Sequence, residues 1–475
     1  MADNPYNEIP YSTFPRLQTH PDRLAAVGTL FGMSPVPIRR CRMLEIGCGD
    51  ASNLIPMAYA LPESRFTGID LAAEPIAAGC LTIDALGLEN ISLISADLRD
   101  VGSEYGEFDY IVAHGVYSWV PRDVRDRLMA VCAERLSPHG IAFISYNAYP
   151  GSHARQMLRE MMLYHTRDIA DPTQRIEQAR WFLKFLLEGR FVSPAWQTWL
   201  DEEVKSLLAR GTDALYHDEL EETNEPVYFR DFTEHAGRHG LQFLGEAEPH
   251  VMFDPEGALA WLGDDVLKRE QYLDFLRGRR FRQTLLCREG IPLRHHAAPE
   301  HMDPFLFSAT ATPIEGGQIR GLRGISITSA HEAVYRVASA MGETYPLPLA
   351  FDELVPYAGS RAALQSILFG LATGGFANIH VFDFPCEETV TAKPKASRLA
   401  RHQAALFRFV TSACHHTVEL DDVGRQLVLL MDGTRDHEQL AQDLAAVRGA
   451  PPVEKIREHL STSLEWLAGM ALLEA

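Results

Sequence analysis

A chain of 475 residues, 46% apolar and 23% charged, has the makeup of a globular protein with length for about two to four domains. Its net charge of −20 opposes a polyanionic partner, so nucleic acid is excluded as the expected ligand, while a cationic substrate region is compatible. No apolar run reaches the roughly 18 residues of a membrane span, the N-terminus Met1-Ala2-Asp3-Asn4-Pro5-Tyr6 is not a signal peptide, and the seven scattered cysteines read as reduced thiols of a cytoplasmic protein.

Residues 1–22, rich in Pro and Tyr, read as an ordered arm that either crosses a ligand cleft or packs on a sheet edge. A helix follows from Pro21 to Leu30, with Leu24, Val27 and Leu30 on one face, closed by Pro35 and Pro37. Strands and helices then alternate. Strands are expected at 43–47, Arg65–Asp70, Ile91–Ser95, Phe108–Ala113 and Ile141–Ser145, the last entered through a turn at Pro138-His139-Gly140. Helices are expected at 52–60, Pro75–Leu86 and Arg122–Leu136. This alternation implies a parallel, doubly wound sheet with ligands at the carboxyl ends of its strands.

Residues 151–226 are mostly helical, with an apolar stripe of Ile176, Ala179, Phe182, Phe185 and Leu186, and read as an insertion or lid. A helix over Val227–His239, a strand over Leu241–Glu248 and a last strand over Phe281–Cys287 complete the sheet. Residues 289–304, with three prolines and three histidines, read as a linker in which His295 and His296 are solvated. The remainder, 305–475, has short strands and small helices, among them His437–Val447 and Ile456–Leu473, and suggests a protein-facing winged-helix-like module. Cys414-His415-His416 is the one local cluster of ligand-type residues, but adjacent residues wrap one ion poorly, so no metal is expected.

The chemistry concentrates at Met43-Leu44-Glu45-Ile46-Gly47-Cys48-Gly49-Asp50. A strand entering a helix through glycines lets backbone approach a ligand closely. Glu45 would repel the phosphates of a dinucleotide and attract a cation, which points to S-adenosyl-L-methionine (SAM), whose sulfonium and ammonium are positive. An ordinary tight turn is the competing reading of this segment alone. Asp70, 21 residues past Gly49 and followed by Leu71, is placed to accept ribose hydroxyls, and Asp97 to accept the adenine amino group with the Leu98 backbone serving a ring nitrogen. NAD would explain Asp70 but neither Glu45 nor Asp97. The fourth strand runs into His114-Gly115-Val116-Tyr117-Ser118-Trp119-Val120-Pro121, where a transferable methyl would sit. Tyr117, Trp119, Tyr146 and Tyr149 are candidates for an aromatic slot that desolvates an amine, with core packing as the alternative for Tyr117 and Trp119. His114 is either a base or a cofactor contact, and Asn147 faces the same opening.

In this order, these residues resemble class I SAM-dependent methyltransferases. Tyr11-Ser12 through Thr19-His20-Pro21, the Leu44–Asp50 motif, Asn53-Leu54-Ile55-Pro56, the Phe108–Pro121 segment and Ser145-Tyr146-Asn147-Ala148-Tyr149-Pro150-Gly151 are similar to bacterial methyltransferases with a methyltransferase regulatory domain, a family that includes rickettsial protein-lysine methyltransferases. The tail around Leu430-Met431-Asp432-Gly433-Thr434 is similar to that family's C-terminal winged-helix module. Ser152 departs from the aromatic expected after Tyr-Pro-Gly.

The resulting expectation is an α/β fold: a doubly wound, Rossmann-like seven-stranded sheet with a helical insertion, plus a C-terminal α+β winged-helix-like domain. Its parts would be a methyltransferase core with arm over 1–150, the insertion over 151–226, a regulatory region over 227–290 and the C-terminal domain over 305–475. The cofactor would be SAM, held by Glu45, Gly47, Cys48, Gly49, Asp70, Leu71, Asp97, Leu98 and His114. Catalysis would fall to His114, Tyr117, Trp119, Tyr146 and Asn147. The acceptor would be an amine, foremost lysine of a protein or peptide; a small metabolite or peptide intermediate, or a catalytically inactive SAM-binding protein, are the alternatives.

Overall fold

A computed structural model describes residues 13–189, 193–254, 257–314, 318–329, 331–386, 389–449 and 451–474. The Tyr11-Ser12 start of the family motif and the first half of the arm lie outside the described residues. Helix α1 (Pro21–Leu30) precedes an alternating run: β1 (Arg42–Ile46), α2 (Leu54–Ala60), β2 (Arg65–Asp70), α3 (Ala73–Leu86), β3 (Ile91–Ser95), β4 (Phe108–Ala113), α4 (Arg122–Arg135) and β5 (Leu136–Asn147). Three helices follow, α5 (Ser152–Thr166), α6 (Pro172–Glu188) and α7 (Pro194–Leu208). Then come α8 (Phe229–Arg238), β6 (Leu241–Glu246), α9 (Val266–Arg277) and β7 (Phe281–Arg288).

The seven strands form one sheet in the order β3-β2-β1-β4-β5-β7-β6. Period-two alternation sends Met43, Tyr110, Val112 and Phe143 to one face and Leu44, Ile111, Ala113 and Ile144 to the other. Both faces are covered, which is why β4 is buried at every residue. On the second face α4 and α8 contribute Leu128, Val131, Phe232 and Ala236. Burying each of the larger ones, Leu128, Val131 and Phe232, contributes roughly 1.5–3 kcal/mol.

Two expectations about the sheet need correction. The sheet is mixed, because β7 runs antiparallel to both β5 and β6. The segment between β6 and β7 returns the chain to the carboxyl edge of the sheet instead of crossing it, so Phe281 opens β7 opposite Asn147 at the end of β5. The fifth strand also starts earlier than expected. Leu136 pairs with Phe108 and Ile141 with Tyr110, so the Pro138-His139-Gly140 turn is a bulge inside β5.

Helices α5 to α7 have their own core of Leu158, Met162, Ile176, Ala179, Leu183, Leu200 and Val204. Leu183 takes the buried position of the expected stripe, while Phe185 stacks on exposed Trp181. The linker histidine His295 is not solvated as expected. Its ring stacks on Phe243 with centroids 5.9 Å apart and lies beside Phe31, while Arg294 N–H donates to the Phe31 carbonyl at 2.8 Å. This pins the linker to the sheet.

Beyond it, Phe305, Phe307, Val337, Leu354, Leu364 and Leu368 pack in the same hydrophobic cluster as α1 and the first sheet face. Residues 396–473 form a further cluster that includes Val410, Leu427, Leu440, Leu464 and Leu472. Buried polar contacts bolt α1 to this C-terminal half: Asp22 Oδ2 meets His380 Nδ1 at 2.7 Å, and Arg23 donates to the Ile379 carbonyl at 2.9 Å. Among the described residues no helix is long and apolar enough to cross a membrane.

Candidate active site

Chain order reverses between β1 and β4, which opens a crevice at the carboxyl edge of the sheet. The Gly47–Asp50 loop lines it. Gly47 and Gly49 have φ of +73° and +56°, a region where side chains are strained, and a Cβ on Gly47 would meet Val116 Cγ2 at 2.7 Å.

The loop does not offer its N–H groups to a ligand as the sequence suggests. Gly47 and Cys48 N–H both donate to the Ile69 carbonyl, at 2.8 and 3.2 Å, and Gly49 N–H donates to Asp70 Oδ2 at 2.8 Å. A phosphate-binding loop needs those donors free, so the committed donors and the nearby carboxylates suit a ligand with a positive end.

Glu45 is 4% exposed. Its Oε1 accepts from Asn53 Nδ2 at 2.7 Å, whereas Oε2 has no hydrogen-bond partner among the described residues. Burial, with Asp50 and Asp70 nearby, pushes its carboxyl up to about 8. An orphaned buried carboxyl oxygen in an anionic neighbourhood is the counterpart that a cationic ligand would satisfy. Asp70 accepts one backbone N–H on each oxygen, from Gly49 and Ala72, which leaves lone pairs for ribose hydroxyls. Leu71 beside it is exposed. Asp97 is clasped by Arg99, with Oδ2 to Nη2 at 2.7 Å, so anything it accepts from a base is shared with that guanidinium. Leu98 is buried next to it.

At the end of β4, half-buried His114 stacks on Phe143 at 6.0 Å and meets Phe281 edge-on at 6.1 Å. Burial lowers it to about 4, so the imidazole is neutral at physiological pH. Tyr117 and Tyr146 are buried in the core on the α8 side of the sheet. Tyr146 stacks on Phe232 at 4.1 Å, and its hydroxyl accepts from Thr284. The Tyr117 hydroxyl bonds His235 Nδ1 at 2.9 Å, and Arg125 lies over its ring. Trp119 is half-buried in the short turn after β4. Asn147 donates to Asn224 Oδ1 at 2.9 Å.

Tyr149 forms the start of an aromatic wall. It stacks on His153 at 4.1 Å, leans on Tyr228 at 5.3 Å, and Tyr228 meets exposed Phe275 at 6.3 Å. Ser152 turns inward and donates to the Arg280 carbonyl, and the neighbouring His153 ring meets Tyr228 edge-on.

Two residues join the site that the sequence names only within motifs and not as site residues. Asn53 Oδ1 accepts from Arg16 N–H at 2.7 Å and faces His415 Nε2 at 3.1 Å, while Asn53 Nδ2 reaches Glu45 and Thr19. His415 sits at φ +62°, a left-handed conformation costly for a non-glycine residue, and is buried. It arrives from 362 positions away. Its only trace in the sequence is the Cys414-His415-His416 cluster, whose third member instead bonds the Tyr345 hydroxyl at 3.3 Å. The arm closes over the same loop, with Thr13 donating to Asp50 at 2.6 Å and Phe14 edge-on to Phe409.

Residues 44–142 match the family described as a methyltransferase domain, residues 211–288 a predicted methyltransferase regulatory domain, and residues 392–450 the PKMT C-terminal winged helix domain. The chain is 30% identical to the uncharacterized protein RP789 of Rickettsia prowazekii (strain Madrid E), over 93% of its own length and 86% of that protein's. RP028 of the same organism is 36% identical over 50% of this chain and 96% of its own. Among solved structures, PKMT2 from Rickettsia typhi superposes with a TM-score of 0.84 at 28% identity, over 98% of this chain and 100% of that one. In complex with AdoHcy the same protein gives 0.85.

Proposed function

This chain belongs to the SAM-dependent methyltransferases that join a methyltransferase domain to a methyltransferase regulatory domain and a PKMT-type winged helix, and from that premise we propose that it methylates lysine side chains of a protein or peptide in the cytoplasm. The observation that carries the acceptor reading is the aromatic wall of Tyr149, His153, Tyr228 and Phe275, which is open to solvent beside the His114–Phe281 pair. An enclosed small-molecule site would bury these rings, whereas Phe275 and Phe281 are 49% and 42% exposed. An aliphatic stem ending in a cation packs well on such faces. The PKMT name of the Rickettsia typhi structure, a protein lysine methyltransferase, supports the same class of acceptor.

Bound SAM supplies a methyl group on a sulfonium, so transfer is an in-line displacement by an amine lone pair with the thioether as leaving group. In this reading the Glu45 carboxylate faces the positive end of the cofactor, and the Gly47-Cys48-Gly49 turn brings backbone against it. Asp70, with Leu71 beside it, receives the ribose, and Asp97 with Leu98 the adenine. An ammonium near pKa 10.4 carries no lone pair, so the acceptor must lose its proton before attack. His114, lowered to about 4, is too weak a base to remove it. His114 therefore lines the cleft against Phe281, and the amine gives up its proton to solvent at the open aromatic wall before attack. Asn147 and Trp119 shape the entrance, and Tyr117 and Tyr146 hold that edge from beneath. Asn53 and His415 are positioning residues: they orient the Glu45 carboxyl through the amide of Asn53.

The deciding experiment incubates the full chain with methyl-labelled SAM and a bacterial lysate split into protein and small-molecule fractions. Label on protein, located on lysine Nζ by mass spectrometry, is expected. Label confined to the small-molecule fraction would overturn the acceptor and leave the methyltransferase assignment standing.

A further inference from the structure

Away from the cofactor crevice, three side chains from two elements converge. His235 lies on α8, and His239 stands four residues on, at the helix C-cap, so both rings leave the same face. Asp126 approaches from α4. Its Oδ1 lies 3.3 Å from His235 Nε2 and 3.1 Å from His239 Nε2, and all three atoms fall within 4.8 Å of one another. A carboxylate paired with charged imidazoles would close to about 2.7–2.9 Å. Donors around a tetrahedral zinc ion with bonds of about 2.0–2.1 Å stand about 3.3 Å apart, so the two Asp126 distances suit an ion as well as they suit neutral N–H···O hydrogen bonds.

The surroundings match that reading. The other nitrogen of His235, Nδ1, is engaged at 2.9 Å by the hydroxyl of buried Tyr117, the outer-shell hydrogen bond that fixes the tautomer and ring orientation of a metal-binding histidine. A carboxylate only accepts, so His235 Nε2–H donates to Asp126 and Nδ1 accepts from the Tyr117 hydroxyl; ion binding requires the other tautomer, with Nδ1–H donating to Tyr117 and the Nε2 lone pair facing the space shared with His239 and Asp126. The His235 side chain is 10% exposed, that of His239 19% and that of Asp126 65%, so an ion has an entry path from the Asp126 side.

We propose that Asp126, His235 and His239 form a binding site for a first-row divalent cation, zinc foremost, that clamps α8 to α4. Two imidazoles and one carboxylate are a borderline donor set suited to zinc, and three protein ligands leave one position to water. Asp126 lies in the segment that matches the methyltransferase domain, and both histidines lie in the segment that matches the regulatory domain. The ion would therefore join these two regions and, through His235, hold the Tyr117 hydroxyl beneath the cleft. The site is independent of the acceptor assignment above.

The test is cobalt(II) and zinc titration of the metal-stripped full chain, read by cobalt visible absorption and by calorimetry, alongside Asp126→Asn and His239→Ala. One saturating equivalent with the absorption of a nitrogen- and oxygen-ligated ion is expected. Each variant should weaken binding by more than about tenfold, the loss that even an outer-shell change commonly causes, while circular dichroism stays unchanged. Absence of saturable binding in the wild-type chain would overturn the proposal. Equally, undiminished binding in both variants would place the ion elsewhere, for instance on thiols, and also overturn it.

Discussion

Glu45 is an acid held where its charge is unwelcome until a cation arrives. Burial raises its carboxyl from the ordinary 4.5 to about 8, so the free protein carries a proton there at pH 7. Its folded-state value lies above its unfolded value, so its contribution to stability is fully present below 4.5 and is lost as pH rises through 8. In the proposed orientation cofactor binding is linked in the opposite sense, because a positive ligand favours the carboxylate. SAM affinity should rise with pH, by up to about tenfold per unit below 8, and level off above it. Binding at pH 7 should release close to one proton, measurable as a buffer-dependent enthalpy; an enthalpy identical in all buffers would remove Glu45 from the positive end of the cofactor. Glu45→Gln should abolish this dependence.

Two further residues test the same crevice. Asp70→Ala is expected to abolish SAM binding by calorimetry, since it removes the proposed ribose acceptor and the hydrogen-bond partner of Gly49 together. His415→Ala removes one hydrogen bond from the Asn53 amide oxygen, which keeps the Arg16 N–H, a loss of about 0.5–1.5 kcal/mol. Carried through to Glu45, that loss raises the SAM dissociation constant by up to about tenfold with the fold intact. A constant that does not move would make His415 purely structural.

At the scale of elements, β7 and α9 are joined by a buried ionic cluster. Arg282, fully buried at the start of β7, donates to Glu246, Glu270 and Asp274 and lies 4.0 Å over the Phe229 ring. Arg279 adds a second guanidinium at 3.0 Å from Asp274. Burial raises Glu270 to about 6 even so. Replacing such a cluster by apolar residues can be neutral, whereas removing one partner leaves buried charge uncompensated at about 3–5 kcal/mol. Arg282→Met is therefore expected to destabilise the β6–β7 edge strongly, seen as a lowered first transition in scanning calorimetry. A wild-type transition would mean that the acids relax to solvent or neutralise.

Across the whole molecule, the aromatic wall proposed for the acceptor is assembled from the end of β5, α5, the N-cap of α8 and α9. No one segment contains it. Removing two of its rings with Tyr228→Ala and Phe275→Ala should raise the acceptor KM by about 2- to 30-fold, from about 0.5–2 kcal/mol of lost cation–π contact, with SAM affinity unchanged. A weakened SAM affinity instead would tie these rings to the cofactor.

How much of this was legible in the sequence follows from distance along the chain. The Rossmann-like alternation, the Gly47–Gly49 turn and the Glu45, Asp70 and Asp97 positions are local: period-two strands, glycine φ and the topology of βα units are written within about thirty residues. The resemblance to methyltransferases rested on the same contiguous motifs. Tertiary structure alone reversed β7, turned Tyr117 and Tyr146 into the core, built the wall from His153, Tyr228 and Phe275, and brought His415 to Asn53. A hydrogen bond across 362 positions or a ring stack between separate helices leaves no periodicity in the residues between. Such contacts exist only because packing of the whole hydrophobic interior fixes which surfaces meet.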